Sequence, residues 1–339
     1  MSVSLQKSHP IQGLVGLKPS GQVVDIYNIY CIRKNATGIR YQPNYRLLPR
    51  TNRQPIKYFT MYSTPKMYKC DFAKQNSEFW CHPFRSDVKS KYLPKKMRKL
   101  LMSESDFIDD SIVPVNKRNI KRPKKYDFFY MTLNNKKGFT YKGLNEFCEA
   151  VKVLCLEQGF RGQVLPYFPN KILHWQVDFT QEQRQILKEA DPFLKYHWGW
   201  KTSAFLNRMM SGSHFGFFPN VMDCSPRIIA ECLSRDVPIL VNKNIWGGWK
   251  YVEETTGREF DPKDPQTLRE ASNFIVNNQR MFSPKATYMS RYGFEKSSRR
   301  LAKYINRDIK NTGCTHIYFS GYRVILERLH QSIIKGEHQ

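Results

Sequence analysis

The residues with the clearest potential for chemistry lie in the segment DCSPRIIAECL, which begins at Asp223. Its two carboxylates, Asp223 and Glu231, are separated by seven residues, so they bracket the first two turns of a helix that begins near Pro226. Ser225 suits the N-cap, and proline suits the first helical position because that position needs no N–H donor. Arg227 then joins the free backbone N–H groups of the first turn, and the pattern predicts an anion site there.

Strands and helices that could position these side chains alternate along the chain. The apolar run Val237–Val241 is typical of a buried parallel strand, and Tyr126–Thr132 is a second strand candidate. Apolar residues at helical spacing from Leu144 onwards predict a helix that stops at Gly159, and a T-x-x-Q capping box begins the helix Thr180–Ala190. This alternation predicts a doubly wound parallel sheet, with ligands at the carboxyl ends of its strands.

The acidic segment resembles the donor-nucleotide motif of retaining GT-B glycosyltransferases, especially the family 4 group, in which a carboxylate, seven residues and a glutamate precede a short helix and strand. Asp223 stands where that family usually has glutamate, and Arg235-Asp236 replaces the usual small residue and glycine. The resemblance implies that Glu231 holds the ribose hydroxyls of a nucleotide sugar and that Asp223 orients the sugar. The residues alone also allow Asp223 to be a helix cap and Glu231 to face solvent.

A second segment, KGLNEFCEA from Lys142 onwards, is similar to the KG-x-x-x-L-I-x-A signature that opens the C-terminal Rossmann-like domain of the same family. The resemblance implies that Lys142 neutralises the donor diphosphate, with a loop lysine in place of the family's usual arginine. Gly199 lies where the family has a strand that ends in glycine. The donor-binding residues implied are Lys136, Lys137, Lys142, Gly199, Ser225, Pro226, Arg227 and Glu231, and those implied in catalysis are Lys142, Asp223 and Glu231.

The resemblance covers residues 126–283 and implies an α/β protein of GT-B architecture, in which two Rossmann-like domains face a cleft. We expect a short, atypical and basic acceptor-side domain at 1–125 and a nucleotide-sugar donor-binding domain at 126–283. Residues 284–339 are expected to form C-terminal helices that cross back to the first domain.

The N-terminal part shows no close match to the family, so its elements are predicted from local pattern alone. Val23–Ile32 and Ile56–Ser63 are strand candidates, whereas Asn76–Phe84 is expected to be a loop. Ser86–Met102 is expected to be a basic helix, because its apolar residues recur at helical spacing.

The net charge limits the partners that this protein could have, and the cysteine pattern limits its cellular compartment. The net charge is +26, and residues 1–125 hold 25 Lys and Arg against 8 Asp and Glu. Such an excess favours either simple solubility or an anionic partner, namely membrane headgroups, a phosphorylated acceptor or, less favoured because no motif for it is present, nucleic acid. Eight cysteines without a C-x-x-C pair indicate reduced thiols and no metal site. With no apolar run long enough to span a membrane and no signal-peptide pattern, we expect a cytoplasmic protein, in the host cytoplasm if the source is a virus.

The resemblance therefore implies a metal-independent hexosyl- or pentosyltransferase. It would transfer a sugar from a UDP- or GDP-linked donor to a glycan or other acceptor, with no cofactor besides this co-substrate, and the family resemblance implies retention of configuration. Two alternatives stay open: a GT-B glucosyltransferase that modifies DNA, and a non-enzymatic protein that binds nucleic acid or a membrane.

Overall fold

The computed structural model describes residues 13–30, 33–35, 38–40, 58–61, 77–85, 98–110, 124–132, 142–166, 179–198, 201–223 and 226–319. They divide into two compact units. Unit 1 contains the described residues within Met1–His82, Ser86–Phe107 and Gly293–Gln339, and unit 2 contains Pro83–Arg85 and the described residues within Ile108–Tyr292.

The described strands, numbered in chain order, are β1 (Gly13–Leu17), β2 (Val23–Tyr30), β3 (Arg33–Asn35), β4 (Gly38–Arg40), β5 (Tyr58–Met61), β6 (Ser77–His82), β7 (Arg98–Leu101), β8 (Tyr126–Thr132), β9 (Gly162–Pro166), β10 (Leu194–Tyr196), β11 (Ser213–Phe218), β12 (Ile239–Asn242), β13 (Gly257–Phe260) and β14 (His316–Phe319). The described α-helices are α1 (Leu144–Val151), α2 (Gln181–Ala190), α3 (Ser203–Ser211), α4 (Arg227–Leu233), α5 (Pro265–Asn277), α6 (Pro284–Arg291) and α7 (Phe294–Asp308).

Unit 1 is built around a mixed sheet with the strand order β14-β1-β2-β5-β6-β7. The strands β2, β5, β6 and β7 pair in parallel, whereas β1 pairs antiparallel with β2 on one side and with β14 on the other. Phe107 packs edge-on against Phe294 of α7 and Phe319 of β14. The unit therefore joins the first and last described parts of the chain in one sheet.

Two sequence predictions in unit 1 were wrong. Asn76–Phe84 was expected to be a loop, but Ser77–His82 is strand β6, whose Phe79, Trp80 and Cys81 are fully buried. Within the expected helix Ser86–Met102, Arg98–Leu101 is strand β7, which pairs in parallel with β6. Pairing with a distant strand has overridden the local helical spacing in this segment.

Unit 2 contains a parallel sheet with the strand order β10-β9-β8-β11-β12-β13. Counted from β8, the order is 3-2-1-4-5-6, which is that of a doubly wound nucleotide-binding sheet. The predicted α/β class with a parallel sheet is confirmed. In such a sheet the strand order reverses between the first and fourth strands, here β8 and β11, and a crevice opens beyond their carboxyl ends.

Aromatic rings from the two central strands form the core of unit 2. Phe128 of β8 stacks on Phe215 of β11, with ring centroids 6.1 Å apart, and contacts Phe147 of α1 edge-on at 6.4 Å. Phe128 and Phe215 are fully buried, and burial of such a side chain stabilises the fold by about 1.5–3 kcal/mol. These aromatic contacts therefore hold β8 and β11, the strands at whose carboxyl ends the crevice is expected, in a fixed position.

Local signals set two helix ends of unit 2 as predicted, the beginning of α2 and the stop at Gly159. The Thr180 hydroxyl accepts a hydrogen bond from the Gln183 N–H at 3.2 Å, and the Gln183 side chain accepts one from the Thr180 N–H at 3.1 Å, which confirms the capping box. After α1 the chain continues through a π-helical turn, Lys152–Glu157, and Gly159 ends it with φ of 70°. Over the described residues, no helix has the length and apolarity needed to span a membrane.

Candidate nucleotide-binding site

The strand order of unit 2 brings together two loops that the sequence keeps about eighty residues apart. Lys142 lies in the connection from β8 to α1, and Asp223 lies in the connection from β11 to α4. Because β8 and β11 are neighbouring parallel strands, both connections leave the same edge of the sheet at the point where the strand order reverses. Both residues were predicted for the site, and the structure places them in contact.

Lys142 and Asp223 form an ion pair. The Lys142 Nζ donates to Asp223 Oδ2 at 2.6 Å, and the side chains are only 24% and 13% exposed. The Lys142 backbone carbonyl accepts a hydrogen bond from the Tyr130 hydroxyl of β8 at 2.8 Å, which anchors the loop to the sheet. Asp223 thus holds a partly buried ammonium group at the carboxyl edge of the sheet, where doubly wound sheets bind ligands.

Gly143 explains why the two loops can meet. Its φ is +64°, a conformation that side chains other than glycine adopt at a cost. A Cβ added at Gly143 would lie 2.6 Å from both Cα and N of Asn220, closer than real Cβ atoms approach. The glycine of the KG pair therefore serves the contact between the loops after β8 and β11.

Two buried asparagines complete the edge, and sequence reasoning missed both. Asn242, the last residue of β12, donates from Nδ2 to the Pro219 carbonyl at 2.7 Å and accepts from the Asn244 N–H at 2.9 Å. Asn220 is 3% exposed, and its Nδ2 has no hydrogen-bond partner among the described residues. The sequence did contain a signal for Asn242, since this asparagine directly follows the apolar run PILV. A buried amide at the end of a strand needs hydrogen-bond partners, so this position indicates a polar contact there.

The loop after β12 braces the acidic segment. The Gly247 N–H donates to the Asp223 carbonyl at 3.0 Å, and the Trp246 N–H donates to the Val221 carbonyl at 2.9 Å. Gly248 has φ of +85°, and a Cβ there would lie 2.8 Å from the side chains of Pro226 and Ile229. One loop therefore holds both Asp223 and the beginning of α4 in place.

The beginning of α4 differs from the prediction. Ser225 was expected as the N-cap and Pro226 at the first helical position, but Pro226 is the N-cap, with ψ of 84°, and the helix begins at Arg227. The helix has seven residues, and no side chain of a described residue caps it. Because proline cannot donate at either position, a shift of one residue leaves the pattern of free N–H groups nearly unchanged.

Glu231 does not simply face solvent. Its Oε1 accepts a hydrogen bond from Arg227 Nε at 2.8 Å, one helical turn earlier, and its side chain is 12% exposed. Among the described residues, no hydrogen bond to the other oxygen, Oε2, is found. The carboxylate is therefore oriented by Arg227 and keeps one oxygen for a further donor.

A further cationic group lies at the carboxyl edge of unit 2. The Arg85 guanidinium donates to the Lys243 carbonyl and lies 5.8 Å from the Trp249 ring centre. Nearby, burial raises the pKa of Glu259, and the charges of Arg85 and Lys243 oppose that rise.

Several predicted residues lie outside the described parts of the chain, and their roles stay predictions: Lys136, Lys137, Gly199 and Ser225. Within the described ranges, no group of three or more His, Cys, Asp or Glu side chains is arranged to hold a metal ion.

Comparison with known proteins finds similarity in structure alone. No family model matches the chain, and no curated protein matches it in sequence. HepE from Anabaena, solved in complex with UDP and glucose, is 12% identical to this chain, with a TM-score of 0.56 over 74% of this chain and 72% of HepE. A glycosyltransferase from Rickettsia africae is 11% identical, with a TM-score of 0.53 over 76% of this chain and 72% of that protein.

TarM of S. aureus is also similar in structure. It is 9% identical and has a TM-score of 0.54 over 76% of this chain, which spans only 51% of TarM. All three proteins have the GT-B fold, and at identities of 9–12% the similarity shows a shared fold. The GT-B architecture predicted from the two motifs is therefore confirmed, with a mixed six-stranded sheet in unit 1.

Proposed function

We propose that this protein is a glycosyltransferase that transfers a sugar from a nucleotide-sugar donor to an acceptor. The observation that carries the proposal is the ion pair between Lys142 and Asp223 at the point where the strand order of the sheet reverses. Doubly wound sheets bind nucleotides at this point. The binding of UDP and glucose by HepE, which shares the fold, supports the same ligand class here.

The chemistry proposed for Lys142 is stabilisation of the leaving group. When the bond between the sugar C1 and the diphosphate oxygen breaks, negative charge grows on the nucleoside diphosphate. A fixed ammonium group beside that oxygen stabilises the transition state more than the bound donor. An ammonium has three N–H donors, so Lys142 can bind a phosphate oxygen while it keeps its bond to Asp223.

Asp223 and Glu231 are proposed to hold the two hydroxyl-bearing parts of the donor. Asp223 Oδ1 would accept a hydrogen bond from the sugar, while Lys142 offsets the repulsion between this carboxylate and the diphosphate. Glu231 Oε2 would accept hydrogen bonds from the ribose, with Arg227 fixing the plane of the carboxylate. Pro226, Ser225, Gly199, Lys136 and Lys137 complete the proposed donor site.

The finer features of the reaction belong to the same proposal. We infer a UDP- or GDP-linked hexose or pentose as donor, retention of configuration, and no need for a metal ion, since lysine supplies the positive charge. Residues 126–283 would bind the donor, and the basic residues 1–125 would receive a glycan or another anionic acceptor, with residues 284–339 returning to that first domain. Turnover that EDTA does not reduce would support metal independence. A product whose anomeric configuration, determined by NMR, is the same as that of the donor would support retention.

A panel of nucleotide sugars in a thermal-shift assay tests the proposal. A ligand at 100 times its Kd stabilises the folded state by about 2.7 kcal/mol, which corresponds to a rise in Tm of about 4 °C for a chain of this size. We expect one UDP- or GDP-sugar to give such a rise. If no nucleotide sugar raises Tm, and the protein binds only oligonucleotides with a steep dependence on salt, the chain is a nucleic-acid-binding protein instead.

A further inference from the structure

Unit 2 has a polar pocket at the amino ends of its parallel strands. The pocket has a volume of about 190 Å³. Its lining residues are Lys124, Ser211, Arg235, Asp236, Pro238, Gln279 and Phe282. Lys124 precedes β8, Ser211 precedes β11 and Pro238 precedes β12, so the pocket lies at the opposite edge of the sheet from Asp223. The six residues of β11 separate the two edges by about 17–20 Å.

Arg235 brings a buried positive charge to this pocket. Its side chain is 1% exposed and donates to the Asn207 amide oxygen, to the Glu231 carbonyl at 2.6 Å and to the Ser234 hydroxyl at 3.3 Å. Its Nη2 has no acceptor among the described residues. A buried guanidinium N–H without an acceptor is unfavourable, so the pocket is suited to a ligand that supplies acceptor oxygens.

Two more donors line the same space. Ser211 is 2% exposed, and its hydroxyl has no hydrogen-bond partner among the described residues. Lys124 donates to the Ser213 carbonyl at 2.9 Å, which leaves two of its three N–H groups available. Burial lowers the pKa of Lys124, so its charged form would gain from an anion in the pocket.

One acid also lines the pocket. Asp236 has φ of +60°, the position where the related motif has glycine, and its Oδ1 accepts a hydrogen bond from the Lys285 N–H at 3.0 Å. With Lys124 and Arg235 the charged lining sums to one positive charge. A carboxylate repels an anion without protons, but it accepts a hydrogen bond from an anion that still carries one.

We propose that this pocket binds inorganic phosphate, with Arg235, Lys124 and Ser211 as donors to its oxygens and Asp236 as acceptor from its P–OH group. Near neutral pH inorganic phosphate keeps at least one proton, whereas sulfate has none. Phosphate can therefore donate a hydrogen bond to the Asp236 carboxylate, whereas sulfate would leave this acceptor without a donor. The pocket should bind phosphate more tightly than sulfate for this reason. The proposal concerns binding at a separate edge of the sheet and does not depend on sugar transfer.

Calorimetric titration of the intact chain at pH 7.5 and constant ionic strength tests this proposal. We expect saturable binding of one inorganic phosphate and at least tenfold weaker binding of sulfate. Lys124→Met should weaken phosphate binding about 10- to 100-fold, the range for loss of a hydrogen bond to a charged group. The matched control is Lys125→Met, because Lys125 is adjacent, exposed and outside the lining, and it should leave phosphate binding unchanged.

Two more variants test the acid and guard against misfolding. Asp236→Asn keeps an acceptor for the Lys285 N–H and tolerates the positive φ, and it should remove most of the preference for phosphate over sulfate. Ser211→Ala should also weaken phosphate binding. This second variant provides the test if circular dichroism shows that Lys124→Met does not fold. The proposal is overturned if phosphate gives no saturable heat, if sulfate binds equally well, or if Lys125→Met weakens binding as much as Lys124→Met.

Discussion

Replacement of Lys142 by methionine separates the proposed role of its charge from its role in packing. Methionine keeps an unbranched side chain of similar length but removes the ammonium that donates to Asp223 Oδ2 at 2.6 Å. The carboxylate of Asp223, only 13% exposed, would then lose its charged partner. Loss of a hydrogen bond between charged groups in such a setting should lower the free energy of unfolding by about 1.5–3 kcal/mol, measured by urea denaturation.

The effect on the reaction should be larger than the effect on the fold. Removal of one preorganised donor from a site of developing negative charge lowers turnover by about 100- to 1000-fold. Release of the nucleoside diphosphate from the sugar donor is the measurement, because it does not require a known acceptor. Binding of UDP or GDP, followed by calorimetry, should weaken about tenfold or more, since one charge-assisted contact to phosphate is lost.

The matched control is Lys285→Met. Lys285 Nζ contacts Asp110 Oδ2 at the same 2.6 Å, also in unit 2, but these side chains are 37% and 45% exposed. An exposed pair contributes about 1 kcal/mol or less, so this variant should be nearly as stable as the wild type and should bind nucleotide normally. The assignment of Lys142 would be refuted if Lys142→Met bound UDP or GDP, and turned over the donor, as well as Lys285→Met does.

Three further predictions use other parts of unit 2. Glu231→Ala should abolish transfer while circular dichroism and Tm show a retained fold; wild-type turnover would contradict the ribose assignment. Gly143→Ala should lower the free energy of unfolding by about 3 kcal/mol or more, because the added Cβ meets the Asn220 backbone. Gly159→Ala is the control, since its φ of +70° is similar but no atom lies within 4 Å, and it should lower the free energy of unfolding by only about 1 kcal/mol. Equal losses in urea denaturation would show that the close approach to Asn220 is unimportant. Burial raises the pKa of Cys155 to about 12, so alkylation of the native protein at pH 8, mapped by mass spectrometry, should be at least about 1000-fold slower than in urea, and comparable rates would exclude a buried thiol.

Unit 2 could be predicted well because its elements carry strong local signals. Tyr126–Thr132 was predicted residue for residue, and the capping box at Thr180 fixed the beginning of its helix. Unit 1 was harder for a physical reason. Its strand Arg98–Leu101 is stabilised by parallel pairing with Ser77–His82, about twenty residues earlier. The sequence of the strand, RKLL, has two basic residues followed by two apolar residues, so it lacks the alternation that would indicate a strand when that partner is unknown.

The site could be predicted in part. Lys142 and Asp223 were identified one by one from family resemblance, but their ion pair depends on the strand order, which places β8 beside β11. The role of Gly143 follows from the close approach of Asn220, a contact between loops that local pattern does not encode. The beginning of α4 was misplaced by one residue, because proline is acceptable both as N-cap and as first helical residue.

The departure from the family motif at Arg235-Asp236 shows how an exception in sequence can indicate a site. A glycine would adopt φ of +60° at position 236 without strain, yet the chain has an aspartate there, and it has a large cation where the family has a small residue. The aspartate adopts this conformation at a small cost relative to glycine, and the buried guanidinium carries the larger cost of burying a charge. Both side chains line the same pocket, and the guanidinium keeps an N–H with no acceptor among the described residues. Arg235 and Asp236 both line this pocket, which apolar residues would fill at lower cost. A ligand in the pocket explains the two residues more simply than packing does.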